Sequence, residues 1–81
     1  MADVDAKIEK YKKEATESGD VEPILKYFEY KHLPERLRDI SEPFHDMAWA
    51  LTIELPRSAE RAAGLRKLLE AKDCFVRAAL P

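Results

Sequence analysis

The sequence predicts an all-α protein, in which an antiparallel helical hairpin and an additional N-terminal helix assemble as a homo-oligomer. Apolar residues recur at helical spacing in two long segments. Glycine and proline residues separate these segments from the rest of the chain, as is typical of helix ends. A third observation is the length, because a chain of 81 residues builds only a small core.

Self-association is the expected support for that small core. Small domains often rely on disulfides, a metal or partner chains. The single cysteine excludes an internal disulfide, and the sequence has no Cys and His spacing typical of structural zinc. We therefore expect one domain over residues 1–81 that is stabilised by contacts between copies of the chain.

The first predicted helix covers residues 3–18. Asp3 or Asp5 can cap its start, and Gly19 suits its end. Its thin apolar stripe consists of Ile8, Tyr11 and Ala15. Because this stripe is thin, the helix needs packing against another element to be stable.

The next segment, residues 24–30, is dense in apolar and aromatic side chains. Its length fits either a short helix or an extended segment, and the sequence does not decide between them. In both cases we expect a hydrophobic flap that packs onto the hairpin.

The hairpin is predicted over residues 30–80, and its first helix starts at Pro34, which suits a first helical position. Its apolar stripe is Leu37, Ile40, Phe44, Met47, Ala48 and Leu51. Pro43 interrupts this stripe, so we expect either a kink near Glu42 or two collinear helices. Leu55 and Pro56 end the segment.

The last helix is predicted from about Ser58 to Ala79. Ser58 is a good N-cap, and Glu60 in the first turn complements the helix dipole. The apolar face is Ala62, Leu65, Leu68, Leu69, Phe75, Val76 and Ala79. The connection to the preceding helix is short, which predicts antiparallel packing of the two helices.

The composition disfavours several classes of function. The chain has 14 Lys and Arg against 16 Asp and Glu, which argues against sequence-independent binding of duplex nucleic acid. Two glycines are too few for a Gly-rich phosphate-binding loop. No apolar run is long enough to span a membrane, and no signal-peptide pattern is present. A lone cysteine fits a reducing setting, so we expect a cytoplasmic protein.

Catalysis and metal binding are not expected either. Cys74 has apolar neighbours in sequence, and we expect burial to leave its thiol inert. Ser41 and His45 form an i, i+4 pair, but nothing in the sequence builds an oxyanion hole around them. His32, His45 and Asp46 lack a compact metal-ligand spacing, so we expect hydrogen-bonded histidines at the surface or at an interface.

Aromatic and basic residues lie close together where the hairpin begins. Tyr30, Lys31 and His32 precede its first helix. The basic residues on the two helices are Arg36, Arg38, Arg61, Arg66, Lys67, Lys72 and Arg77. An aromatic ring can stack on a nucleobase while a nearby cation holds a phosphate. The alternative is a solvated helix face whose basic residues pair with Glu60, Glu70 and Asp73.

These residues resemble a known family, the small phage anti-CBASS cyclic-oligonucleotide sponges of the Acb/Tad hairpin family. The resemblance covers residues 30–80 and rests on two stretches. Residues 30–34, Tyr-Lys-His-Leu-Pro, are similar to the family's tyrosine, basic residue, any residue, leucine and small residue. The family has a basic residue fifteen positions after this tyrosine, and this chain has His45 there. In the second stretch, residues 66–70 run on to residues 76–79, where Arg77 and Ala78 match an arginine-alanine pair.

The resemblance implies a function, an assembly and a site. It implies binding and sequestration of cyclic di- or trinucleotide messengers, without catalysis or cofactor, to block CBASS signalling in the cytoplasm of an infected bacterial host. It also implies a homo-oligomer, often a hexamer, with ligand pockets between protomers. The resemblance and the aromatic and basic cluster together predict the ligand-binding residues Tyr30, Lys31, His45, Arg61, Arg66 and Lys67. The alternative function is a small helical protein–protein interaction module that binds a host protein.

Overall fold

A computed structural model describes residues 2–19 and 21–81, and this part of the chain is all-helical, as predicted. The elements are α1 (Ala2–Ser18), a 3-10 helix (Pro23–Phe28), α2 (Glu35–Glu54) and α3 (Ala59–Ala78). Each of the other elements packs against α2, and the 3-10 helix also contacts α3. Among the described residues, no helix has the length and apolar character needed to cross a membrane.

Helix α1 occupies the region where a helix over residues 3–18 was predicted. Gly19 follows it with a φ of 74°, a left-handed conformation that glycine adopts without steric cost. Ile8 and Ala15 are buried against α2, as the spacing of the apolar stripe predicts. Asp5 lies inside α1 and so does not cap it, because the helix already includes Ala2; the side chain of Asp3 lies outside the described residues.

The apolar segment after α1 forms a 3-10 helix, which settles the choice between helix and extended chain. Leu25 and Phe28 are both buried in the core. Their spacing of three residues matches the three residues per turn of a 3-10 helix, so both side chains lie on one face. The segment therefore packs onto α2 and α3, as expected for a hydrophobic flap.

Helix α2 is one continuous helix, and Pro43 lies inside it. The expectation of two collinear helices is therefore wrong. Pro34 is the N-cap rather than the first helical residue, and its carbonyl accepts the first helical hydrogen bond from the Arg38 N–H at 2.9 Å.

The buried face of α2 is not the apolar stripe that the sequence predicted. The buried residues of α2 are Ser41, His45, Ala48, Trp49 and Thr52. Only Ala48 belongs to the predicted stripe, whereas Met47 and Leu51 are exposed. At 3.6 residues per turn, the two faces are about a quarter of a turn apart. Hydrophobicity does not identify this face, because three of its five buried residues are polar.

Helix α3 begins and ends within one residue of its predicted bounds. The Ser58 hydroxyl accepts a hydrogen bond from the Arg61 backbone N–H at 3.0 Å, as expected of an N-cap. Leu65 is buried in the core. The expectation that Cys74 is buried is wrong, because its side chain is exposed. Cys74 is next to apolar residues in sequence but nearly half a helical turn away from the face that carries Leu65 and Leu69.

Candidate functional site

A cleft of about 210 Å³ contains three of the six predicted ligand-binding residues. It lies between the first half of α1, the chain that follows the 3-10 helix, and the middle of α2. The side chains that line it are Asp5, Ile8, Glu9, Tyr30, Lys31, Glu42, His45 and Asp46. The fold therefore brings Tyr30, Lys31 and His45 together, although Tyr30 and His45 are fifteen residues apart in sequence.

Tyr30 is half-buried at this cleft and its ring rests against His45. The ring centroids are 4.8 Å apart and the planes meet at 66°, an edge-to-face contact. The Tyr30 hydroxyl lies 3.4 Å from Glu42 Oε1, a long hydrogen bond in which the phenol donates. The Tyr30 ring is thus held against His45, while part of the Tyr30 side chain stays accessible to solvent.

His45 is buried, with 4% of its surface exposed, which corrects the expectation of a histidine at the surface. Its Nε2 lies 2.7 Å from Lys12 Nζ, and its Nδ1 lies 2.8 Å from Asp46 Oδ1. An ammonium group only donates hydrogen bonds, so Nε2 accepts and the ring proton is on Nδ1, which donates to Asp46. Both ring nitrogens therefore have protein partners, and neither is available to a phosphate in this conformation.

Lys12 is a member of the site that the sequence did not predict. Its ammonium group lies 3.2 Å from Glu29 Oε1 and 5.1 Å from the centre of the Trp49 ring. Lys12 is on α1 and is separated from His45 by 33 residues. Lysine side chains on a polar helix usually face solvent. No local pattern in the sequence indicates that Lys12 contacts a buried histidine.

Carboxylates dominate the electrostatics of the cleft. Burial is the largest cause that raises the pKa of Tyr30 above its ordinary value of 10.0, followed by the charges of Glu42 and Asp46. Asp5 on α1 raises it further. Four carboxylates line the cleft, and Lys31 is the lysine beside them. Within a single chain, the cleft therefore favours cations or neutral groups over phosphates.

Arg61 lies in a different part of the structure and has a structural role there. It is buried, and its Nη1 donates to the carbonyls of Thr52 at 3.2 Å and Leu55 at 2.6 Å. Its Nη2 forms an ion pair with Glu22 at 2.9 Å. Arg61 thus satisfies carbonyl groups at the end of α2 and connects them to the segment before the 3-10 helix.

The remaining residues singled out from the sequence are not brought into the cleft. Arg66 and Lys67 are exposed on α3. Ser41 is fully buried, and its hydroxyl has no hydrogen-bond partner among the described residues. Because both nitrogens of His45 bind other groups, the i, i+4 pair with Ser41 is not a hydrogen-bonded dyad. Within the described part of the chain, no three His, Cys, Asp or Glu side chains are arranged to hold a metal ion.

A second surface feature is an apolar groove of about 500 Å³ between α2 and α3. Phe44 and Phe75 stack there with ring centroids 5.8 Å apart. Phe75 is 58% exposed, and Met47 on the same side of α2 is 51% exposed. Together with Leu51 these residues form what we call the outer face of the α2–α3 pair.

Comparison with known proteins gives no match to this chain: no family model, no curated protein and no solved structure is similar to it.

Proposed function

We propose that this protein sequesters cyclic di- or trinucleotide messengers as a homo-oligomer, without catalysis, and thereby blocks CBASS signalling in an infected bacterium. The observation that carries the proposal is the cleft in which Tyr30, Lys31 and His45 meet. These three residues are also among those that the sequence predicts to bind the ligand. In the proposed complex, Tyr30 stacks on a base and Lys31 approaches a phosphate. His45 supports the Tyr30 ring through their ring contact.

The proposed assembly uses the outer face of the α2–α3 pair. In it, α2 and α3 form an antiparallel hairpin, and Phe44, Met47, Leu51 and Phe75 are covered by other copies of the chain. Support comes from the exposure of Met47, Leu51 and Phe75, since contiguous apolar surface on a small protein usually marks an interaction site. A hexamer is the assembly that the sequence resemblance implies.

Because the cleft is acidic, the proposed binding of a phosphate depends on the assembly. Four carboxylates against Lys31 repel a phosphate in a single chain. Arg66 and Lys67 are exposed on α3, and in the proposed assembly they approach a cleft on another copy. A pocket shared between copies thus supplies the cations that one cleft lacks. Arg61 is excluded from this role because its guanidinium is occupied by Glu22 and two carbonyls.

The test is a panel of cyclic di-AMP, cyclic di-GMP, cyclic GMP–AMP and a cyclic trinucleotide. We expect at least one member to raise the melting temperature and to bind in titration calorimetry, because a ligand that binds only the folded state stabilises it. The ligand should be recovered intact after the protein is heated, which separates sequestration from hydrolysis. Linear dinucleotides of the same bases serve as the control.

Two results would contradict the proposal. One is the absence of a thermal shift and of binding heat for the whole panel at millimolar ligand. The other is recovery of the ligand in cleaved form, which would make the protein a phosphodiesterase.

The second candidate is a protein–protein interaction module that binds a host protein. The outer face of the α2–α3 pair favours it independently of the Tyr30 cleft, because an apolar groove between helices can accept a helix from a partner. The oligomeric state separates the candidates. A protein that is monomeric by light scattering and binds no cyclic nucleotide leaves this face open for a different protein.

A further inference from the structure

Helix α1 contributes two of the carboxylates in the Tyr30 cleft. Asp5 and Glu9 line the cleft together with Glu42 and Asp46 of α2. Without the α1 side chains, the charged groups that line the cleft would be these two α2 carboxylates and Lys31, and the Lys12 ammonium would no longer contact His45. The docked position of α1 thus doubles the number of carboxylates around the site where the proposed ligand presents its phosphates.

Helix α1 is also the element with the fewest attachments. It packs on α2, and among the described residues it has no helix-to-helix contact with α3. Ile8 and Ala15 are its buried apolar residues. Elements with few buried contacts open at lower free energy than the rest of a protein. Undocking of α1 would leave the contact between α2 and α3 in place.

One polar connection holds α1 beside the cleft. Lys12 Nζ lies between His45 Nε2 at 2.7 Å and Glu29 Oε1 at 3.2 Å, and the Trp49 ring is within cation–π distance. The Lys12 side chain is 20% exposed, so this connection is largely shielded from water. Lys12 therefore acts as a latch between α1 and the side chain that supports Tyr30.

We propose that α1 is an autoinhibitory acidic cover of the Tyr30 cleft, latched by Lys12, and that its docking competes with the binding of a phosphodiester ligand. This inference rests on the proposed function for the identity of the ligand. When α1 leaves, Asp5 and Glu9 are removed from the cleft, and His45 Nε2 loses its partner and becomes available. A ligand that binds the open state then shifts the population of α1 toward the undocked form.

The first experiment neutralises the cover without removing it. Asp5→Asn and Glu9→Gln are compared with Glu14→Gln, which makes the same change of charge on α1 at an exposed position outside the cleft. In either cleft variant the ligand can enter the docked state from which the charge helps to exclude it, so we expect binding of the panel's best cyclic nucleotide to tighten by up to about three-fold at low salt, the effect of removing a unit charge roughly 6 Å away in water. Glu14→Gln should change the affinity far less, because its charge lies further away and is screened.

Hydrogen exchange tests the movement of α1 directly. Binding of the cyclic nucleotide should accelerate amide exchange in residues 5–15 while α3 stays protected. In the free protein, Lys12→Met should accelerate the same amides, and the matched Lys13→Met, at an exposed position, should not. The comparison of Lys12→Met with Lys13→Met involves no ligand, so it tests the latch even if no cyclic nucleotide binds.

Three outcomes would overturn the inference. The first is equal tightening by Glu14→Gln and the two cleft variants, which would indicate a general effect of net charge. The second is stronger protection of residues 5–15 on binding, which would make α1 part of the closed complex. The third is identical exchange in Lys12→Met and Lys13→Met. Failure of the proposed function has a different signature, namely no binding by the parent protein or by any of its variants.

Discussion

The two faces of α2 differ in a way that hydrophobicity alone does not predict. The face buried within the chain carries Ser41, His45 and Thr52 beside Ala48 and Trp49. The outer face carries larger apolar side chains at exposed positions, including Met47 and Leu51. In this helix, therefore, three polar side chains are buried while two large apolar side chains are exposed.

The buried polar side chains of α2 are tolerated because most of them have partners. The Thr52 hydroxyl donates to the Ala48 carbonyl at 2.8 Å. His45 has a partner at each ring nitrogen. A hydrogen-bonded polar group costs little to bury, whereas the exposed apolar face loses the free energy that burial would provide. The inner face is thus packed within this chain, whereas the outer face is the one that we propose to be covered by another copy.

The largest expected effect is in the core against which the inner face of α2 packs. Leu65 is 2% exposed, and Leu65→Asp would place an unpaired charge in the core. We expect a loss of about 3 kcal/mol or more, enough to unfold most of a domain this small. Urea denaturation followed by circular dichroism measures the loss.

The matched control for this variant is Leu51→Asp, since Leu51 is 42% exposed. Its monomer should lose less than about 1 kcal/mol, because an exposed charge keeps its hydration. Equal destabilisation by the two variants would mean that the inner and outer faces have been assigned incorrectly.

The next effect concerns the outer face and the oligomer. Phe75→Asp should reduce the mass to that of a monomer while the helical signal is retained, because Phe75 is exposed within one chain. Light scattering at micromolar concentration measures the mass. Arg77→Asp introduces the same side chain at another exposed position on α3 and should leave the mass unchanged if the apolar groove is the interface. A parent protein that is already monomeric would contradict the proposed assembly.

Much of the fold follows from local signals in the sequence. Ser58 caps α3 where a hydroxyl residue precedes a helical pattern, and Gly19 terminates α1 with a positive φ. These signals act within a few residues of the chain, so a sequence carries them explicitly. The buried face of α2 is different, because Trp49 contacts Tyr11 and Lys12 of α1 and His45 contacts Lys12 and Tyr30, all distant in sequence. No local pattern encodes those contacts.

The candidate site was only partly predictable for the same reason. The fifteen-residue spacing of Tyr30 and His45 spans the start of a helix, and the fold brings the two rings together. Lys12 was missed because its contact with His45 is long-range. Arg61 was predicted to bind ligand as one of the basic residues of the aromatic and basic cluster. Its actual partners, two carbonyls and Glu22, depend on how α2 ends.

A prediction of intermediate size concerns Tyr30. If the ring stacks on a base, Tyr30→Ala should weaken binding of the cyclic nucleotide by about ten-fold or more, since stacking contributes roughly 1–3 kcal/mol per base. Titration calorimetry measures the affinity, and light scattering checks that the oligomer is intact. Tyr27→Ala, at a more exposed tyrosine on the 3-10 helix, is the control and should bind normally. Undiminished binding by an intact Tyr30→Ala oligomer would place the ligand elsewhere.

A smaller effect is expected at the latch between α1 and α2. Lys12→Met removes a hydrogen bond to His45 and the ion pair with Glu29 but keeps an unbranched side chain over Trp49. We expect a loss of about 1–2 kcal/mol, because a hydrogen bond to a charged group contributes more than a neutral one. Fluorescence of Trp49, the single tryptophan, follows the urea transition. Lys13→Met should cost much less, and equal losses would show that the contact with His45 contributes nothing.

The smallest effect concerns the charge of the cleft at alkaline pH. The folded protein raises the pKa of Tyr30 above 10.0, chiefly by burial and then through Glu42 and Asp46. The unfolded chain therefore releases the phenol proton first as the pH rises, and the unfolded state binds fewer protons. The contribution of Tyr30 to the free energy of unfolding is therefore complete below pH 10, the pKa of the phenol in the unfolded chain. It is lost as the pH rises from there through the higher pKa of the folded protein. Glu42→Gln removes one of the causes, so the Tyr30 pKa should fall toward its ordinary value and the alkaline loss of stability should shrink.

Absorbance at the tyrosinate band, taken as the difference between the parent and Tyr30→Phe, follows this one phenol. Glu60→Gln, on α3 and outside the cleft, should leave the titration unchanged. If Glu42→Gln also leaves it unchanged, the Glu42 carboxylate does not act on Tyr30 in solution, and the description of the cleft as acidic loses its direct support.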